Sequence, residues 1–159
     1  MTRLSIWGAA ALVLGITAPA WADATVFVGA NTTPVNRAVK GFAIGMNRTI
    51  VGFEFEYAST SEDFTVLAPS LKTGMGNLVL QPPLGVAGFQ PYVTAGGGLY
   101  REELGAVADT SFGVNAGGGV KIGLVGPLQL RVDYRIFRLG GGALNSPAHR
   151  IYAGINVKF

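Results

Sequence analysis

Residues 128–137 read LQLRVDYRIF, and their order sorts the side chains into two kinds. Leu128, Leu130, Val132, Tyr134 and Ile136 fall on one face of an extended chain, and Gln129, Arg131, Asp133 and Arg135 on the other. A period of two marks a strand with unlike surroundings on its two sides, because a helix at 3.6 residues per turn would mix the sets. The separation recurs. In TIVGFEFEYA (49–58), Val51, Phe53, Phe55 and Tyr57 oppose Gly52, Glu54, Glu56 and Ala58. In SFGVNAGGGVKIG (111–123), Phe112, Val114, Ala116, Val120 and Ile122 oppose Gly113, Asn115, Gly117, Gly119, Lys121 and Gly123. The chain closes on RIYAGINVKF, where Ile151, Ala153, Ile155, Val157 and Phe159 oppose Arg150, Tyr152, Gly154, Asn156 and Lys158.

Four further segments fit the same period less sharply. They are 24–30, 39–47 (with Phe42, Ile44 and Met46 in phase), 71–81 and 91–101, and in 24–30, 71–81 and 91–101 the sequence leaves the outward face open. Eight strands result, most of them near the roughly 9 to 11 residues that a tilted membrane strand requires.

Composition says what kind of surface these strands build. Hydrophobic residues make up 49% of the chain and charged residues 13%, about half the usual charged share, while 24 glycines are roughly twice ordinary usage. A water-facing surface is hard to assemble from that stock. The first residues, MTRLSIWGAAALVLGITAPAWADA, place Arg3 before an apolar core over residues 4–16 and a small-residue pattern at Ala20-Trp21-Ala22. This is the pattern of a secretory signal peptide cleaved after Ala22, its core too short for the roughly 18 residues of a spanning helix. The mature chain, residues 23–159, is one domain with no apolar run of spanning length and, for want of cysteine, no disulfides. A closed β-barrel is the remaining way to satisfy every backbone polar group inside a bilayer. The expectation is an all-β fold, an eight-stranded antiparallel up-and-down transmembrane β-barrel.

Alternation alone is symmetric, and a soluble periplasmic lipocalin-like ligand carrier would show it with the apolar face inward. The polar face here is mostly Gly and Asn with a few charges of both signs, which suits a narrow lumen. Glu54, Glu56 and Asp133 are expected to pair there with Lys121, Arg131 and Arg135, since an unpaired charge in a tight interior is costly. On this reading Arg at Val132 would face lipid, whereas Gln at Arg131 would disturb only the lumen pairing. Outer loops are expected at 31–38, 59–69, 102–110 and 139–149, and periplasmic turns at 47–49, 82–90 and 124–127.

The leader, the segments GFQPYVTAGGGLY, FGVNAGGGVKIGL and LQLRVDYRIFRL, and above all IYAGINVKF give the chain a resemblance to a known family. It resembles the small outer-membrane β-barrel proteins of Gram-negative bacteria, of the type of the OmpA transmembrane domain and the Opa barrels. The resemblance implies that Ile151, Ala153, Ile155, Val157 and Phe159 form the signal read by the barrel-assembly machinery. It also implies periplasmic chaperones as transient partners, and outer-membrane lipids and lipopolysaccharide as the surroundings of a monomer in the outer membrane.

Chemistry has few candidates. AGGGLY, AGGGVKIG and LGGGA lack the Lys-Ser or Lys-Thr ending of a phosphate loop, and barrel curvature accounts for them. Ser146 and the single His149 raise the alternative of a lipid A-modifying enzyme on the same barrel, but His149 has no carboxylate nearby in sequence to orient it. No Cys or His cluster suggests a metal, no cofactor is implied, and the scattered basic residues form no stripe for nucleic acid. The expected role is a non-enzymatic structural or surface-interaction component of the envelope that is not a large pore.

Overall fold

The computed structural model describes residues 20–83 and 85–159. They form β1 (Trp21–Asn31), β2 (Arg37–Arg48), β3 (Val51–Thr60), β4 (Ser70–Leu80), β5 (Phe89–Leu104), β6 (Val107–Gly123), β7 (Leu128–Leu139) and β8 (Ala148–Lys158). Each strand pairs antiparallel with the next, and β1 pairs with β8, so the sheet closes in sequence order. The expected leader lies outside the described residues as far as residue 19, and β1 begins two residues before the expected cleavage point.

The two faces separate cleanly. Phe53, Phe55, Phe112, Ile136 and Ile151 are exposed on the outer wall, while Glu54, Glu56, Arg131, Asp133 and Arg135 are buried inside. A water-soluble barrel needs the reverse, because an apolar exterior of this extent would be driven out of water. The faces left open by the sequence are now fixed. Val26 and Val28 of β1, Leu78 and Leu80 of β4, and Val93 and Leu99 of β5 point outward. They were illegible because Phe27, Leu71, Met75 and Val79, which point inward, are apolar as well.

The interior is layered. Near the end where β7 stops and β8 starts, Leu71, Met75, Tyr100, Phe137, Leu139 and Ala148 pack into an apolar cap. Charged side chains fill the middle, and Phe27 stacks on Tyr152 at 3.9 Å beside them. The chain ends meet at the opposite rim, where Ala22 and Phe159 exchange two backbone hydrogen bonds.

The connections correct one expectation. The outer loops are 32–36, 61–69 and 140–147, but the third, expected at 102–110, is a two-residue turn at 105–106. Polarity misread it: Arg101, Glu102 and Glu103 keep strand alternation, with Glu102 inside opposite Asp109, so β5 and β6 run on as a paired hairpin beyond the apolar band. The turns at the other rim are 49–50, 81–88 and 124–127. The long one, rich in proline, is braced by the Gln90 amide, which donates to the Pro82 carbonyl at 2.7 Å.

Candidate functional site

β7 turns Arg131, Asp133 and Arg135 inward at successive alternate positions, and β3 does the same with Glu54 and Glu56. Arg131 grips Glu54 with both terminal nitrogens, at 2.5 and 3.1 Å, and reaches Asp133 at 3.2 Å. Arg135 lies 2.9 Å from Asp133, 2.9 Å from Glu54 and 3.0 Å from Glu56. β8 adds Arg150, which donates to Glu56 at 3.1 Å and to the Thr73 hydroxyl at 3.2 Å.

Two tyrosines complete the cluster. The Tyr92 hydroxyl donates to Asp133 and accepts from Arg131 Nε, whose guanidinium lies 4.8 Å from the Tyr92 ring centre. The Tyr152 hydroxyl donates to Glu56 at 3.0 Å. Lys121 stands apart from the carboxylates assigned to it by the sequence reading and pairs instead with Asp23, 2.5 Å away, which also accepts from the Asn47 amide. All six lumen residues named from the sequence are therefore buried inside the barrel. Asp23, Arg150, Tyr92 and Tyr152 join them, and with Asp23 and Arg150 the buried set holds four carboxylates against four cations.

That balance decides what the site can do. Charges removed from water are tolerable only with close, hydrogen-bonded partners, and here each carboxylate is held by at least one cation. Groups so committed leave no free base or nucleophile, and an eight-stranded interior is only wide enough for side chains to fill. Among the described residues the middle of the lumen is filled by these paired side chains.

Elsewhere the chemistry stays thin. His149 Nδ1 lies 2.6 Å from the Tyr134 hydroxyl, and the Ser146 hydroxyl accepts from the Leu139 N–H, so neither is directed at the other. Among the described residues no group of three or more His, Cys, Asp or Glu could hold a metal ion. In the 61–69 loop the Thr65 hydroxyl and N–H both donate to Asp63 and hold its carboxyl below its ordinary pKa. Along β8 Ile151, Ala153, Ile155 and Phe159 lie on the outer wall and Val157 is half-buried, and Ala20 and Ala22 sit at the start of β1.

Comparison with known proteins yields structural neighbours only. No family model and no curated protein matches the chain. The N-terminal β-barrel domain of Pseudomonas aeruginosa OprF aligns over 87% of this chain and 97% of its own, with a TM-score of 0.67 at 14% identity. Neisserial surface protein A aligns over 88% and 96%, with a TM-score of 0.65 at 18% identity. The chain has the fold of the small outer-membrane β-barrels. The outer-membrane enzyme PagL shares that fold too, at a TM-score of 0.52 and 12% identity over 85% of this chain and 98% of its own, so the architecture by itself does not separate enzyme from non-enzyme.

Proposed function

We propose that the chain is an integral outer-membrane barrel with a structural or surface-interaction role in the Gram-negative envelope, without catalytic activity and without a large pore. The observation that supports this is the inverted polarity of the barrel, an apolar wall around a charge-balanced, tyrosine-capped interior. Such an object is soluble in a bilayer and not in water. Export follows from the leader, cleaved after Ala22, and the last strand with Phe159 serves as the element read by the assembly machinery. The separate hydrogen-bonding commitments of Ser146 and His149 favour the non-enzymatic reading over lipid A modification. Cell fractionation tests the proposal: the protein should sediment with outer membranes and migrate faster on gels when unheated. Recovery in the soluble periplasmic fraction would overturn it. His149→Ala should leave the lipid A profile unchanged, and an altered profile would favour the enzyme.

A further inference from the structure

The loop joining β7 to β8 folds inward over the end of the lumen. It begins on three consecutive glycines, Gly140, Gly141 and Gly142, with Gly141 at φ +62°. There the Gly140 N–H donates to the Phe112 carbonyl at 3.1 Å, and the Gly140 carbonyl accepts from the Tyr100 hydroxyl. Ala143 packs against the apolar cap of Leu71, Met75, Tyr100, Phe137, Leu139 and Ala148. The Leu144 N–H donates to the Glu102 carboxyl of β5 at 3.1 Å. At the other foot the Ser146 hydroxyl accepts from the Leu139 N–H at 3.1 Å. Residues 140–147 thus make a strap with a glycine hinge and a carboxyl latch.

The latch is poorly placed to carry a charge. Glu102 is 6% exposed, faces inward beyond the apolar band, and stands directly opposite Asp109 of β6. Like charges directly opposite on paired strands repel. Its partner on the other side, Leu71 of β4, brings no charge. Arg37 of β2 is within electrostatic reach, but its guanidinium is engaged by the Thr33, Ser61 and Pro69 carbonyls, and Asp63 of the 61–69 loop draws on the same charge. Burial above all, and then the Asp109 charge, push the Glu102 carboxyl above its ordinary pKa, against the pull of the Leu144 N–H and Arg37. Lifting the strap returns water to Glu102, so the closed form holds a proton more tightly than the open one. The contribution to closure is therefore fully present below a carboxyl's ordinary pKa and is lost as pH rises through the raised value.

We propose that residues 140–147 form an acid-latched lid: with Glu102 protonated the strap lies over the apolar cap, and with Glu102 ionised it swings on Gly140, Gly141 and Gly142 and opens the cap to water. A protonated Glu102 still accepts from Leu144 and offers its own proton to Asp109. An ionised one loses that donor and faces a like charge. Little opposes the movement, since the middle of the strap is held by one backbone hydrogen bond and the small side chain of Ala143. The inference needs the folded barrel and not the envelope role proposed above, so its failure leaves that role standing.

The test follows the protein refolded in detergent micelles by amide NMR, with hydrogen exchange at Leu144 corrected for the pH dependence of exchange itself. In the wild type, protection at Leu144 should fall roughly fivefold or more from about pH 4 to about pH 8, and the Gly140, Gly141 and Gly142 amide signals should titrate with the same midpoint. Glu102→Gln keeps an acceptor for Leu144 and cannot ionise, so its protection should stay at the acid level throughout. Asp109→Asn removes the opposing charge and should move the midpoint to lower pH. His149→Gln removes the imidazole just past the strap and should leave the midpoint where it is. All three variants should match the wild type in unheated gel migration, which verifies the fold. The inference is overturned if wild-type protection is flat or rises with pH, if Glu102→Gln still titrates, if Asp109→Asn leaves the midpoint unmoved, or if His149→Gln moves it.

Discussion

Arg131 shows at the scale of one residue what sequence reveals and what it hides. Its inward direction was legible from LQLRVDYRIF, because every neighbour two positions away along the strand is polar. Its partners were not, since Glu54 lies 77 residues away across the lumen and Thr25 lies 106 away. Arg150 went unassigned for the same reason, its partner Glu56 being on β3, which is not adjacent to β8. The partner list changes an expectation. Arg131→Gln was read as a local disturbance, but it leaves Glu54 to Arg135 alone and removes a hydrogen bond to Tyr92 in a fully buried site. Breaking one side of a buried pair costs about 3 to 5 kcal/mol, so Arg131→Gln should destabilise at least as much as Val132→Arg, for which roughly 2 to 4 kcal/mol is expected from a charge facing lipid. Urea unfolding in lipid vesicles measures both. The double change Glu54→Gln/Arg131→Gln should recover part of the Arg131→Gln loss, and no recovery would mean that Glu54 is stabilised by other cations of the cluster.

At the scale of strands and turns, alternation was readable wherever the inner face is charged and the outer face apolar, as in β3 and β7. It blurred in β4 and β5, because the apolar cap places Leu71, Met75 and Tyr100 inside and the glycines Gly74, Gly76 and Gly97 put no side chain outside. Both faces then look alike. Turn chemistry gives a sharper test. The two-residue turn joining β5 to β6 has Gly105 at φ +61°, the conformation glycine adopts freely. The turn joining β2 to β3 asks the same of Thr49, at φ 55°, where a β-branched side chain is strained. Thr49→Gly should therefore stabilise the barrel by about 1 kcal/mol, whereas Gly105→Val should destabilise the outer hairpin by a similar amount. Because that hairpin lies beyond the apolar band, Gly105→Val should shift hydrogen exchange at 101–110 while leaving insertion into vesicles unchanged. A loss of insertion would show that the hairpin tip helps to close the barrel.

The described residues form a closed cylinder whose interior holds the apolar cap and, beneath it, the charge cluster. Purified protein should accordingly give no sustained ion conduction in a planar bilayer, and stable large single-channel steps would contradict the filled lumen. Closure itself depends on β1 meeting β8, the two strands most distant in sequence, and this is where Phe159 enters. Its side chain is 70% exposed on the wall, and its backbone exchanges two hydrogen bonds with Ala22. Cleavage after Ala22 would remove that partner, leaving the mature seam to run from Asp23 opposite Lys158 to Asn31 opposite Arg150. Phe159 would then contribute little beyond one aromatic contact with lipid, on the order of 1.5 to 3 kcal/mol, which a closed barrel survives. If the same residue is also read during assembly, deleting it should lower the amount of inserted protein in cells far more than it lowers stability in a vesicle refolding assay. Phe159→Tyr should behave nearly as wild type in both, and Phe159→Ala should follow the deletion in cells. Parallel losses in cells and in vesicles would make Phe159 a packing residue and leave the assembly signal to be sought elsewhere on β8.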